Sequence, residues 1–84
     1  MYTIYKLVAS NAQHSTTEYF QKLSGVSAAV KQTYNCNMGP VEINDLLAEK
    51  TTIYEKYASV VLGPCADNEG VTWILTVEEI GVND

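Results

Sequence analysis

The pattern that most constrains the fold lies near the C-terminus, where apolar residues alternate with mostly polar ones. Val71, Trp73, Leu75 and Val77 alternate with Thr72, Ile74, Thr76 and Glu78. The segment from Ser59 to Gly63 is short and rich in β-branched residues, and the intervening run 66–70 has the composition of a turn. The sequence therefore predicts a β-hairpin with one apolar face, and the rest of the chain must cover that face.

The segment before the midpoint of the chain has the spacing of a helix. Ser15 precedes Glu18 by three residues, as in a capping box. The residues that follow at spacings of three and four are Phe20, Leu23, Ser27, Val30 and Tyr34. This predicts a helix from about 16 to 35. An alternative stays open, because Gly25 costs such a helix about 1 kcal/mol and Ser27 could cap a shorter helix after a strand from Thr17 to Ser24.

A second helix is predicted after the break at 35–40, where asparagine, glycine and proline interrupt the first. Its apolar residues at helical spacing are Ile43, Leu46, Leu47, Ile53, Tyr54 and Tyr57. Asn44 or Asp45 could cap its start. The three carboxylates of Glu42, Asp45 and Glu49 lie at i, i+3 and i+7, so they form one stripe beside the apolar face.

These elements predict an α+β fold in a single domain spanning 1–84. With an N-terminal strand from Tyr2 to Ala9, the order is βααββ, a three-stranded antiparallel sheet with two helices packed on one face. If the first helix is short, the sheet has four strands and the order becomes ββαα followed by the hairpin. A chain of 84 residues supports only one core and buries a modest share of its surface. Self-association as a homodimer therefore also remains open.

The charge of the chain is divided unevenly between its halves. Residues 1–41 carry three lysines against Glu18 alone, a net charge of +2, whereas residues 42–84 carry nine acids against two lysines, a net charge of −7. The chain contains no arginine, and its overall net charge is −5. Direct nucleic-acid binding, which needs basic side chains along the phosphate path, is therefore disfavoured.

Several catalytic and ligand-binding chemistries lack their residues, so no enzyme activity, metal or cofactor is expected. The single histidine, His14, lies in a polar segment without a nucleophile motif and reads as an exposed loop residue. Cys36 and Cys65 are separated by 28 residues without companion ligands, which argues against zinc and favours two free thiols in a reducing compartment. No phosphate-binding glycine loop, signal peptide or membrane-spanning run is present, so a cytoplasmic location is expected.

The acidic residues of the second half are the candidate partner-binding residues. They are Glu42, Asp45, Glu49, Asp67, Glu69, Glu78 and Glu79. Glu78 and Glu79 are adjacent on a predicted strand and should point to opposite faces. If these carboxylates form one surface, that surface would resemble a phosphate backbone and attract a basic groove; if they lie apart, they serve solubility. Tyr5 or Tyr19, if exposed, would be further contact residues.

In its short length, α+β pattern, acidic second half and lack of a catalytic motif, the whole chain resembles the small acidic proteins by which phages and other mobile elements block host defence complexes. Anti-CRISPR proteins are among them. The resemblance is one of organisation, without a residue signature of a named family, so it transfers no functional residues. It implies a protein that occupies a nucleic-acid-binding surface of an effector complex or blocks its nuclease recruitment.

The resulting hypothesis is a non-enzymatic inhibitor of a basic nucleic-acid-binding protein or ribonucleoprotein complex, acting in the host cytoplasm if a phage encodes it. The alternative is a structural or assembly subunit that self-associates through a sheet edge or an apolar patch.

Overall fold

The computed structural model describes residues 2–50 and 57–82 and contains four strands and two helices in that part of the chain. In chain order the elements are β1 (Tyr2–Ser10), β2 (Ser15–Phe20), α1 (Leu23–Tyr34), α2 (Pro40–Lys50), β3 (Tyr57–Ala66) and β4 (Thr72–Val82). The four strands form one antiparallel sheet in the order β2-β1-β4-β3. The first and last strands of the chain are therefore the two central ones.

The hydrophobic core lies on one face of this sheet, between the sheet and the two helices. Leu7 pairs with Val77 and Ala9 with Leu75 across the two central strands, and all four side chains are buried. From the helices, the fully buried members of the core are Val26, Val30, Ile43 and Leu47. Helix α1 contacts β1 and β2, and α2 contacts β3, so each helix covers one half of the same face.

The segment between the helices is held by hydrogen bonds that end one helix and position the next. Asn35 adopts the left-handed conformation that ends α1, with a φ of 53°, and its side-chain amide donates to the carbonyl of Ala66 at 3.0 Å. The buried Ser27 hydroxyl donates to the Met38 carbonyl at 2.7 Å. Pro40 occupies the first position of α2, where its missing N–H is not needed.

The structure confirms the four-stranded alternative, and the three-stranded βααββ arrangement is not confirmed. The predicted helix from 16 to 35 is wrong over its first part, because Ser15–Phe20 is a strand paired with β1. Two threonines suit an extended backbone. Asn11 also closes the β1–β2 turn, its side-chain oxygen accepting the backbone N–H groups of Gln13 and His14 at 2.9 and 2.8 Å.

Both predicted helix caps are also wrong. Ser27 lies inside α1, where its hydroxyl bonds across to Met38, and α1 begins at Leu23 after Lys22 without a side-chain cap. Asn44 and Asp45 lie inside α2, which begins at Pro40.

The predicted second helix also ends differently at its C-terminal side. The observed helix reaches Lys50, and Tyr57 begins β3 rather than continuing the helix. Ile53 and Tyr54, which the helical spacing included, lie outside the described residues.

A glycine-to-alanine change tests the contact between β2 and α1. A methyl group on Gly25 would lie 2.9 Å from the Phe20 ring, closer than packed carbon atoms approach. Gly25→Ala gains about 1 kcal/mol of helix propensity but loses about 1–3 kcal/mol to overpacking. We expect the free energy of unfolding, measured in urea, to fall by about 1 kcal/mol. Ser24→Ala, at the exposed neighbouring position, should not lower it. A more stable Gly25→Ala variant would contradict this packing.

Candidate functional site

The acidic residues of α2 form the candidate site predicted from the sequence. Glu42, Asp45 and Glu49 are all exposed, while Ile43 and Leu47 on the same helix are buried in the core. The helix therefore anchors its apolar side against the sheet and leaves the three carboxylates in a row on the outer side. We call Glu42, Asp45 and Glu49 the acidic stripe.

Asp67 has a structural role in the β3–β4 turn. One carboxylate oxygen accepts the backbone N–H groups of Glu69 and Val71, each at 2.9 Å, and the other accepts the indole N–H of Trp73 at 2.9 Å. The bond from Trp73, followed by the backbone bond from Val71, lowers the pKa of Asp67 from its usual 3.8. Its charge is thus satisfied within the turn rather than displayed to a partner.

The other acids of the hairpin lie in three different settings. Glu69 is exposed in the β3–β4 turn. Glu78 lies on the sheet face opposite the helices, where it pairs in register with Lys6, whereas Glu79 lies on the helix-covered face opposite Tyr5. Burial, and secondarily the nearby Glu79 carboxylate, raises the pKa of Tyr5.

The fold therefore brings together only some of the seven predicted residues. The three carboxylates of the acidic stripe share one helix side. Glu78 lies on the far side of the sheet from them, and Asp67 is committed to its turn. The opposite orientation of Glu78 and Glu79, predicted from strand periodicity, follows from the observed register.

The sheet face away from the helices is a second candidate surface, and we call it the open face. Its large apolar side chains alternate with the core residues along all four strands. They are Tyr2, Ile4, Val8, Tyr19, Val61, Ile74 and Ile80. Tyr19 is 61% exposed, Val61 58% and Ile74 41%. An antiparallel sheet usually presents polar residues on its uncovered face, so this apolar set is unusual.

Sequence reasoning missed most of the open face, although a signal for it was present. Of the two tyrosines considered as contacts, Tyr19 lies exposed on this face, whereas Tyr5 is half-buried against the core. Ile74 occupies a position in the alternating pattern that polar residues otherwise fill, and Ile4 and Val8 alternate with the core residues of β1. Apolar residues on both sides of a strand indicate two faces that exclude water.

The two cysteines are free thiols that contact each other. Cys36 is buried and Cys65 is half-buried on β3. Burial, followed by the contact with the Cys65 thiol, raises the pKa of Cys36 to about 11. A nucleophilic or metal-binding cysteine requires a lowered pKa, so this environment disfavours the reactive thiolate form.

The described residues contain few features of a ligand site. A shallow surface depression next to the β3–β4 turn is lined by Gln32, Thr33, Asp67, Asn68 and Glu69. Among residues 2–50 and 57–82, no three histidine, cysteine, aspartate or glutamate side chains lie together as a metal site would require. Within those same ranges, neither helix has the length and apolar character needed to cross a bilayer. His14 is exposed, as predicted.

Comparisons with known proteins provide no family assignment. No protein-family model, no curated protein and no solved structure matches the chain. Functional inference for this protein therefore depends on its own residues and their placement.

Neutralising Asp67 tests its structural role through pH. Because its pKa is lower in the folded state, the carboxylate contributes stability above its unfolded pKa, and this contribution disappears as pH falls through the folded pKa. Asp67→Asn should therefore be less stable than the parent at neutral pH, and the deficit should shrink as pH falls below 3.8. Urea unfolding followed by Trp73 fluorescence measures it.

The matched control for this prediction is Glu69→Gln, which removes a charge from the same turn but keeps the acceptor of Asp67. It should leave stability nearly unchanged. A deficit of Asp67→Asn that is the same at every pH would contradict the proposed role of the carboxylate.

The environments of the two thiols predict an order of alkylation. During a short pulse of iodoacetamide at mildly alkaline pH, the half-buried Cys65 should be labelled before the buried Cys36. Peptide mapping by mass spectrometry distinguishes the two sites, and unfolding in urea should make both react. Faster labelling of Cys36 in the folded protein would contradict its burial.

Proposed function

We propose that this protein is a non-enzymatic binding protein that inhibits a basic nucleic-acid-binding protein or ribonucleoprotein complex by occupying its phosphate-binding surface. The observation that carries the proposal is the acidic stripe of α2. Its three exposed carboxylates succeed one another by about 4.5 and 6 Å along the helix axis. A rigid row of negative charges at this spacing is complementary to lysine and arginine side chains that hold a nucleic-acid strand.

The charge of the whole chain supports the same class of partner. With a net charge of −5 and no arginine, the protein would be repelled by nucleic acid and attracted to a basic groove. Attraction of this kind makes association fast and strongly dependent on salt.

The environment of the chain's nucleophilic side chains supports a non-enzymatic role. The raised pKa of Cys36 keeps that thiol protonated at neutral pH, and His14 lies exposed in a turn without a nucleophile motif. Inhibition by steric and electrostatic occupation needs neither group. In this proposal the protein acts in the cytoplasm, and a phage-encoded anti-CRISPR inhibitor in its host is the instance suggested by its organisation.

Reversal of the acidic stripe tests this function. Tagged parent protein is incubated with lysate of its native cell at low salt, and the retained proteins are eluted with high salt and identified. The purified partner is then titrated with Asp45→Lys/Glu49→Lys. The double reversal should weaken the complex at least about 10-fold at low salt, reduce its salt dependence and restore the partner's nucleic-acid binding.

Glu18→Lys/Glu69→Lys provides the matched control, because it changes the net charge by the same amount at exposed residues off α2. It should retain most of the affinity. Equal loss in both double variants would mean that net charge alone drives binding. Unchanged affinity of the α2 variant, with circular dichroism showing both variants folded, would reject the acidic stripe as the binding surface.

A further inference from the structure

The open face differs from the rest of the molecule in both charge and polarity. Although the chain has a net charge of −5, the described residues of the open face carry one lysine and one glutamate, Lys6 and Glu78, and are otherwise uncharged. Four of its apolar side chains, Tyr2, Tyr19, Val61 and Ile74, are more than two-fifths exposed. A basic partner recruited by the acidic stripe would find no matching charge here.

The two charges lie side by side in the middle of the face. Lys6 on β1 is the register partner of Glu78 on β4, and these are the two central strands. Apolar side chains flank the pair on both sides along the strands, with Ile4 and Ile80 paired toward one end and Val8 toward the other. A binding partner that covers these apolar residues must therefore also satisfy one positive and one negative charge at its centre.

We infer that the open face is the interface of a homodimer, in which a second copy of this chain packs sheet against sheet. A two-fold axis running between β1 and β4, parallel to both strands, places Lys6 opposite the second copy's Glu78 and Glu78 opposite its Lys6. The face is thus complementary to itself in charge, as an isologous interface requires. The acidic stripes remain on the outer sides of the pair, where they do not repel each other at close range.

The size of the face is sufficient for such a pair. Four strands spaced about 4.8 Å apart, with about nine facing residues at about 3.4 Å per residue, present roughly 600 Å² per copy before the relief of the side chains is counted. Two copies bury about 1,200 Å², which is the lower bound of stable protein interfaces. Aligned packing of two twisted sheets is a common arrangement of this kind. The inference does not depend on the function of the acidic stripe.

Sedimentation equilibrium over a range of concentrations up to about 1 mM tests the dimer. The parent should sediment as a dimer whose dissociation constant changes little with salt, since burial of apolar surface dominates. Ile74→Lys places a charge at an exposed apolar position of the face and should raise that constant at least about 30-fold. Val41→Lys makes the same kind of change at a 71% exposed position on α2 and should leave the dimer unchanged.

Single charge reversals distinguish this geometry from non-specific association. Lys6→Glu alone and Glu78→Lys alone should each be mainly monomeric, because each places like charges against like charges across the axis. When the two variants are mixed, each charge meets its opposite, and a heterodimer should form.

A monomeric parent at every concentration overturns the inference, whether the face then proves to bind neutral phosphatidylcholine vesicles or another protein. A dimer that Val41→Lys weakens as much as Ile74→Lys does, or a mixture of the two charge variants that stays monomeric, also overturns it.

Discussion

The pairing of β1 with β4 is the interaction on which the rest of this structure depends. It joins the two ends of the described chain over nine register pairs, from Tyr2 with Val82 to Ser10 with Ile74. Each central strand also carries one neighbour, β2 beside β1 and β3 beside β4, so both hairpins are positioned by the same ladder. Because the ladder closes a loop of almost the entire chain, its entropic cost is offset only when the helices cover the core.

This pairing also determines how the surface is divided. Alternation along β1 and β4 places Leu7, Ala9, Leu75 and Val77 under the helices and a second apolar set on the open face. The helices cover only one of these faces and contribute the acidic stripe to the outside. The molecule thus presents a charged side for electrostatic recruitment and, opposite it, a nearly neutral apolar side, and the two proposals made above assign one partner to each.

The sequence predicted those parts of the fold whose patterns have a single interpretation. Strict alternation in β4, the β3–β4 turn composition and the break before Pro40 each correspond to an observed element. The segment 15–20 could not be assigned, because Ser15 and Glu18 fit a capping box while its threonines and aromatic residues fit a strand. Pairing with β1 and the close approach of Phe20 to Gly25 decide between them, and neither interaction is local.

The candidate site shows the same limit. Helical periodicity was enough to align Glu42, Asp45 and Glu49, but the commitment of Asp67 to Trp73 depends on the three-dimensional path of the turn. The position of Ile74 within the alternating pattern of β4 hinted at the open face, but only the observed sheet order brings it together with the apolar residues of β1 and β2.

Amide hydrogen exchange, resolved by NMR, tests the central role of the β1–β4 ladder most directly. The account predicts that the slowest-exchanging amides are ladder-bonded ones in β1 and β4, around Leu7 and Val77, and that amides of the edge strand β2 exchange faster than they do. It also predicts cross-strand contacts between β1 and residues 15–20. Slow exchange confined to a continuous helix from 16 to 35, with unprotected amides in β1, would contradict it.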